Sequence, residues 1–288
     1  MFQKILFRWK NSSNKIMMMI LMALTLLGSN SLESRAAEIA SEGPAILYVD
    51  SASVSLYNGP GEEYTPVSSV AFGTELTVDA MADNAWYRVS TDSDELWVNG
   101  AECSLFDPLS LPGGARIILG EGVDAAQAEA LRQEYDRMPA SCQALFSGIT
   151  FYLDQSRIWE NYNGSVSLNS IAGMYQYGKE IDLVPGNLSH SVIHECGHHI
   201  DYVLGKQAGI KVTEGTYTGA YLYSHSNGFQ AVFNLECASS GLLDSHPTKD
   251  PAEYFAQAFK LYIQEPAKLR NIAPATHAYM ESLIASLG

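Results

Sequence analysis

One segment constrains this chain more than any other: the stretch Ser189–Gly205, SHSVIHECGHHIDYVLG, sets ionisable side chains within an otherwise apolar run. The apolar residues recur at helical spacing and predict a helix over Ser189–Leu204 that ends at Gly205. A helix of this kind packs in a core. Because a buried polar group without a partner costs about 1–3 kcal/mol, the histidines and the glutamate must face something that satisfies them.

The sequence HECGH predicts what that partner is. His194 and His198 are four residues apart, so both rings leave one face of the helix and can bind a single divalent ion. Glu195 lies beside the pair. This is the H-E-x-x-H pattern, in which two histidines hold zinc and the glutamate acts as general base on water. We therefore predict Zn²⁺ as the cofactor. The alternative is that the histidines hydrogen-bond other core groups; the spacing favours the metal.

A catalytic zinc site uses a third protein ligand and keeps one open position. No histidine follows at the spacing H-E-x-x-H-x-x-G-x-x-H, since Leu204 occupies that place. Two later glutamates can supply the ligand: Glu236 in NLECAS and Glu253 in DPAEYFAQAF. Glu253 has a second interpretation, because Asp250 is a predicted N-cap and Glu253 then occupies the N3 place of a capping box.

Three neighbours of the motif have predicted places of their own. His199 lies one residue off the metal stripe, which predicts an outer contact or a surface position. Asp201 either holds a ligand imidazole through its second nitrogen, or it caps a helix or faces solvent. Cys196 is predicted to be a core residue. The sequence leaves the pairing of the four cysteines open, and these are Cys103, Cys142, Cys196 and Cys237.

The N-terminus predicts export. Basic residues precede Ile16–Leu27, an apolar run of twelve residues, and small residues follow at SRAAE. A membrane span needs about 20 residues, so we expect a secretory signal over residues 1–36, with an uncleaved anchor as the alternative. The predicted location is secreted or extracellular, including cell-wall associated. A net charge of −15 argues against nucleic acid and anionic lipid as partners.

The chain changes character at residues 107–114, DPLSLPGG, which we predict to be a linker. Before it, residues 45–106 show short runs of β-branched and aromatic residues separated by turns, which predict a small all-β unit. After it, strands are followed by helices, which predicts an α+β domain over residues 115–288. The segment AGMYQYG, residues 172–178, is the predicted sheet edge on which a substrate strand would pair.

Residues 45–106 resemble the bacterial SH3-like domain. The features that match are SLYNGPGEEYTPVSSVAFGTELTV, then Trp86 in NAWYRV and Trp97 in LWVNG, although Leu96 stands where the family often has glycine. The resemblance implies a small barrel that holds a cell-wall or cell-surface ligand and does no chemistry. For the aromatic residues of this unit we favour core packing over ligand contact, and these are Tyr57, Tyr64, Trp86 and Trp97.

The segments SVIHECGHHID and DPAEYFAQAFKLYI resemble the metalloendopeptidase domain of the anthrax lethal factor type, a group that includes secreted Pro-Pro endopeptidases. The resemblance implies a zincin-like fold with His194, His198 and Glu253 as zinc ligands and Glu195 as general base. This sequence departs from the family at Gln257, where the family has glutamate. It departs again at His246, where the family has a tyrosine that stabilises the oxyanion. The other candidates for that donor are Tyr217, Tyr221, Tyr223 and His225.

The expected protein is thus an α+β zincin-like metalloprotease preceded by an SH3-like barrel. The expected function is a secreted zinc-dependent endopeptidase that hydrolyses extracellular or cell-surface proteins, with Pro-Pro bonds as the cleavage site that the resemblance implies. Two alternatives stay open. One is a wall-acting zinc hydrolase, either an amidase or a peptidoglycan peptidase, and the other is a non-catalytic binding protein on a zinc fold.

Overall fold

The structure is a computed structural model that describes residues 37–38, 45–82, 84–91, 94–162, 171–244 and 249–288. The predicted signal sequence, residues 1–36, and His246 lie outside the described residues. The chain divides into two compact units between Pro108 and Leu109. Among the described residues, we find no helix with the length and apolar character required to cross a membrane.

The first unit is an antiparallel sheet with the strand order β4-β3-β7-β6-β5-β2-β8, and β1 pairs with β5. Side chains of β5 alternate between buried and partly exposed, as expected of a sheet with one face on a core. The described strand order is open at β4 and β8, so the expected closed barrel is not shown. The strands are β1 (Ala37–Glu38), β2 (Ala45–Val49), β3 (Ser53–Tyr57), β4 (Pro66–Ala71), β5 (Glu75–Met81), β6 (Trp86–Ser90), β7 (Glu95–Asn99) and β8 (Cys103–Ser104).

The aromatic residues of this unit take different places. Trp86 and Trp97 are buried together with Ala82, and Tyr57 packs on them with its ring 5.2 Å from that of Trp86. Core packing is therefore confirmed for both tryptophans. It is wrong for Tyr64, which is 40% exposed.

The second unit combines a five-stranded sheet, ordered β12-β13-β11-β10-β9, with the helices that follow. Strands β10, β11 and β13 are parallel, whereas β12 and β9 are antiparallel at the two ends. The strands are β9 (Ser110–Leu111), β10 (Ala115–Leu119), β11 (Thr150–Leu153), β12 (Gly173–Gln176) and β13 (Glu180–Leu183). The helices are α1 (Ala125–Tyr135), α2 (Ala140–Gln143), α3 (Gln155–Tyr162), α4 (Leu188–Gln207), α5 (Asn227–Ser240), α6 (Pro251–Gln264), α7 (Pro266–Ile272) and α8 (Pro274–Ala285).

The mixed α+β architecture of this unit is confirmed. The segment predicted as a substrate edge contains β12, which ends the described strand order and pairs on one side with β13. Residues 107–114 include β9, whose Leu111 is buried in the core of the second unit. That core also takes Cys196 from α4, as predicted, and all four cysteines are unpaired.

Local sequence signals set the ends of several helices. Asp124 caps α1 in a full capping box with Gln127, and Asp250 caps α6 by accepting from the N–H groups of Ala252 and Glu253. The predicted end of α4 is wrong: the helix continues through Gly205 to Gln207. A Cβ atom on Gly205 would lie 2.5 Å from the backbone nitrogen of Leu222, so this glycine permits a close approach inside the helix.

Candidate metal centre and active site

Helix α4 carries the two histidines of the motif to one point beside α6. The rings of His194 and His198 stand at 88° with their centroids 4.9 Å apart. Oε2 of Glu253 on α6 lies 3.4 Å from Nε2 of each histidine. One possible ligand atom from each of the three residues lies within 4.8 Å of the other two.

This donor set fits zinc. Two imidazole nitrogens and one carboxylate oxygen are ligands that zinc takes in catalytic sites. Ligand atoms about 2.0–2.1 Å from a tetrahedral zinc ion are about 3.3 Å from one another. The separation of 3.4 Å between Glu253 and each histidine nitrogen agrees with that value.

Small residues let α6 come close enough to deliver Glu253. Gly197 lies inside the motif, and a Cβ atom there would lie 2.8 Å from the Cα atom of Ala256 and 3.1 Å from its carbonyl oxygen. The two helices therefore touch through backbone at this point. Glu253 is three residues before Ala256, on the same side of α6, so the contact fixes its distance from the histidines.

The second oxygen of Glu253 is held from another direction. Tyr217 donates its hydroxyl to Oε1 of Glu253 over 3.1 Å. Tyr217 lies in the segment between α4 and α5, 36 residues before Glu253. The sequence marked Tyr217 as one of several donors for an oxyanion and did not indicate a contact with the third ligand.

Glu195 is buried under the edge strand. The N–H of Tyr175 on β12 donates to its carboxylate. A Cβ atom on Gly173, in the same strand, would lie 2.8 Å from Cγ of Glu195. Burial raises the pKa of Glu195 to about 7, since His198 and the Tyr175 N–H only partly oppose it and Glu253 adds to the rise. A carboxyl with such a pKa can accept and return a proton near neutral pH.

Glu253 and His198 form a pair of opposite charges, and each residue shifts the pKa of the other. Burial alone would lower the pKa of His198, but the hydrogen bond to Glu253 and the charges of Glu253, Glu195 and Asp201 raise it to about 9. Burial alone would raise the pKa of Glu253, and the two histidines outweigh burial and lower it. The carboxylate of Glu253 therefore stays ionised, as a metal ligand must.

The family comparison matches the second unit of the chain. The sequence model of a family described as "Anthrax toxin lethal factor, N- and C-terminal domain" matches residues 115–283. The chain belongs to this family. The match confirms a lethal factor-like metalloprotease domain, and it contains all the residues of the cluster. The SH3-like resemblance of residues 45–106 stays a prediction.

A solved structure of the Pro-Pro endopeptidase PPEP-2 from Paenibacillus alvei is similar to this chain at 21% identity and a TM-score of 0.45. The similarity covers 58% of this chain and 96% of that chain. No curated protein matches the sequence.

Within the lethal factor-like domain, Glu236 is placed away from the metal cluster. Its carboxylate accepts from the N–H groups of Ala275 and Thr276, at 2.9 and 2.8 Å, and from the hydroxyl of Thr276. These N–H groups belong to the first turn of α8, whose own N-cap, Ala273, makes no side-chain hydrogen bond. Glu236 therefore satisfies the start of α8 and lies outside the group of His194, His198 and Glu253 that could hold a metal ion.

His199 and Asp201 are both buried in the domain. His199 bonds the hydroxyl of Tyr175 through Nδ1 at 3.1 Å and the carbonyl of Leu145 through Nε2 at 2.9 Å. It is a core residue, and the expected surface position is wrong. Asp201 accepts from the N–H and the hydroxyl of Ser224, at 2.6 and 2.7 Å. The alternative in which Asp201 faces solvent is therefore also wrong.

The candidates for an oxyanion donor are spread over the same domain. Tyr223 accepts a long hydrogen bond from Tyr279, at 3.5 Å, and Tyr221 forms an isolated bridge with Lys211. Burial lowers the pKa of His225. Gln257 is half-buried one turn after Glu253. His246 lies outside the described residues, so its predicted role is untested.

Proposed function

We propose that this protein is a secreted zinc-dependent endopeptidase. The observation that carries the proposal is the convergence of His194, His198 and Glu253 within 4.8 Å, with the buried carboxyl of Glu195 in the same helix. Membership of the lethal factor family supports it. The secreted location rests on the predicted signal over residues 1–36, and the expected partners are protein or peptide substrates.

The three ligand residues would hold the metal, and Glu195 would move the proton. Bound zinc supplies a Lewis acid that polarises a carbonyl and lowers the pKa of water. Glu195 accepts the proton of the attacking water and passes it to the leaving amine, a task that suits its raised pKa. The N–H of Tyr175 donates to the carboxylate of Glu195 and would restrict its movement.

The edge strand would orient the substrate. Strand β12 pairs with β13 on one side and ends the described strand order on the other. An extended peptide that pairs with this edge would run over Glu195, because β12 itself contacts that residue at Gly173. We assign donation to the oxyanion to His246, which occupies the position where the family has a tyrosine. His246 is therefore a further catalytic candidate beside Glu195.

The test is digestion of a peptide library by the zinc-loaded full chain, read by mass spectrometry. Peptides that contain Pro-Pro are the first substrates, because the motifs resemble those of secreted Pro-Pro endopeptidases. Glu195→Gln should keep zinc, measured by inductively coupled plasma mass spectrometry, and should lose hydrolysis by about 100-fold or more. Equal rates for the wild type and Glu195→Gln would refute the assignment. Release of fragments from purified peptidoglycan alone would favour the wall-acting alternative.

A further inference from the structure

The two oxygens of the Glu253 carboxylate have different partners. Oε2 lies 3.4 Å from both histidine nitrogens, whereas Oε1 accepts from the hydroxyl of Tyr217 at 3.1 Å. We propose that Tyr217 is a positioning residue that holds the third metal ligand in its binding orientation. This inference rests on the metal site proposed above.

The hydrogen bond to Oε1 of Glu253 also restricts the position of Oε2. A glutamate side chain can swing about its terminal bonds, and each swing moves Oε2 away from the histidines. The bond from Tyr217 restricts this movement and leaves Oε2 directed at the metal position. Groups that hydrogen-bond a ligating side chain from outside orient it in this way in metal sites generally.

The segment that carries Tyr217 is itself fixed to α6. The N–H of Val212 donates to the carbonyl of Ala220, and the N–H of Gly219 donates to the carbonyl of Val212, both at 2.8 Å. Val212 packs in a small apolar cluster with Leu222 and Ala252, and Tyr217 lies against this cluster. Ala252 directly precedes Glu253, so the loop rests on the turn of α6 that carries the ligand.

The ring of Tyr217 is supported from the side of the sheet edge. It lies 6.1 Å from the ring of Tyr177, at 64°. Tyr177 follows β12 directly in the sequence. The phenol therefore has a packed ring and one directed hydroxyl, which is what a positioning residue requires.

The hydrogen bond from Tyr217 to Glu253 also distinguishes a positioning role for Tyr217 from the role of an oxyanion donor. A phenol has a single O–H to donate, and here Glu253 accepts it. The donor to the substrate oxygen must then be another residue.

The experiment compares two variants that each remove one hydroxyl oxygen. Tyr217→Phe keeps the ring and loses the bond to Glu253. Tyr177→Phe removes the same atom from the neighbouring ring and leaves that bond in place. For both full chains we would measure the zinc dissociation constant by competition with a chromophoric chelator, together with thermal unfolding of the metal-free protein.

Tyr217→Phe should weaken zinc binding by about 10–100-fold, the usual effect of removing an outer partner of a metal ligand. Tyr177→Phe should bind zinc as the wild type does, and the metal-free forms should melt together. Unchanged zinc affinity in Tyr217→Phe would overturn the inference while the metal site stands. Unchanged affinity with a lowered kcat and an unchanged KM would likewise overturn it, in favour of an oxyanion donor. A wild type that binds no zinc would refute the metal site and, with it, this inference.

Discussion

The contact between Gly197 and Ala256 predicts that one added methyl group will damage the metal site. In Gly197→Ala the new Cβ atom would lie 2.8 Å from the Cα atom of Ala256, 3.1 Å from its oxygen and 3.3 Å from its Cβ. Two of these three atoms belong to the backbone of α6 and cannot rotate away. Helices α4 and α6 must therefore separate at this point.

The size of the separation follows from the contact distances. Carbon atoms pack best at about 3.5–4.0 Å, so a contact of 2.8 Å requires a shift of about 0.7–1.2 Å. Glu253 lies one turn away on the same side of α6 and moves with it. Metal–ligand distances vary by only about 0.2 Å between sites. A shift several times larger should weaken zinc binding at least tenfold, as smaller changes around metal ligands do.

Stability alone does not decide this case, because two effects oppose each other. Alanine favours the interior of a helix over glycine by about 1 kcal/mol. Overpacking costs about 1–3 kcal/mol. The net loss in the free energy of unfolding is then about 0–2 kcal/mol, so the deciding measurement is the zinc dissociation constant from chelator competition.

A matched control and a second substitution make the test sharp. Gly186 lies in the turn before α4 with nothing within 4 Å of its added Cβ, so Gly186→Ala should bind zinc normally. Adding Ala256→Gly to Gly197→Ala should not restore binding, because the closest atoms are backbone atoms that remain. The reasoning is refuted if Gly197→Ala binds zinc as the wild type does and gains about 1 kcal/mol of stability.

Two further predictions concern residues around the same site. Glu253→Gln should lose zinc in a chelator titration because a neutral amide is a poor zinc ligand. Glu236→Ala should keep zinc and lose about 1–3 kcal/mol in the free energy of unfolding, measured by chemical denaturation, since it removes the acceptor of two N–H groups of α8. The reverse order of zinc loss would show the ligand assignment to be wrong. Gly173→Ala should keep zinc and lower kcat in a peptide assay, because its Cβ would lie 2.8 Å from Cγ of Glu195, and an unchanged kcat would contradict the contact.

Local patterns in the sequence predicted those parts of the site that depend on neighbours in the chain. The spacing of His194 and His198 placed them on one face of a helix, and Asp250 marked the start of α6. The apolar runs predicted strands in the second unit, although β9 lies inside the residues predicted to be a linker. Each of these features is decided within a few residues, so a single sequence can show it.

The third ligand depends on contacts between distant segments. Both Glu236 and Glu253 lie in helices, and no spacing rule says which of them meets the histidines. In the structure Glu236 turns to the start of α8, whose own cap residue is alanine, and Gly197 brings Glu253 to the metal position. The family resemblance favoured Glu253 as the third ligand, whereas the local sequence pattern allowed either glutamate. The bond from Tyr217 to Glu253 spans 36 residues and gives no local signal.

Helix α4 can bury its polar residues because both of its sides contribute residues to the same site. His198 faces α6 and Glu253, while His199, the next residue, turns to the sheet and bonds the hydroxyl of Tyr175 at 3.1 Å. Tyr175 in turn donates its N–H to Glu195, one turn before His199 on the same helix. The core histidine thus fixes the strand that directs the general base, and the histidine beside it faces the metal position. His199 has a hydrogen-bond partner at each ring nitrogen, and His198 has the carboxylate of Glu253 3.4 Å from Nε2, so neither buried ring is without a polar neighbour.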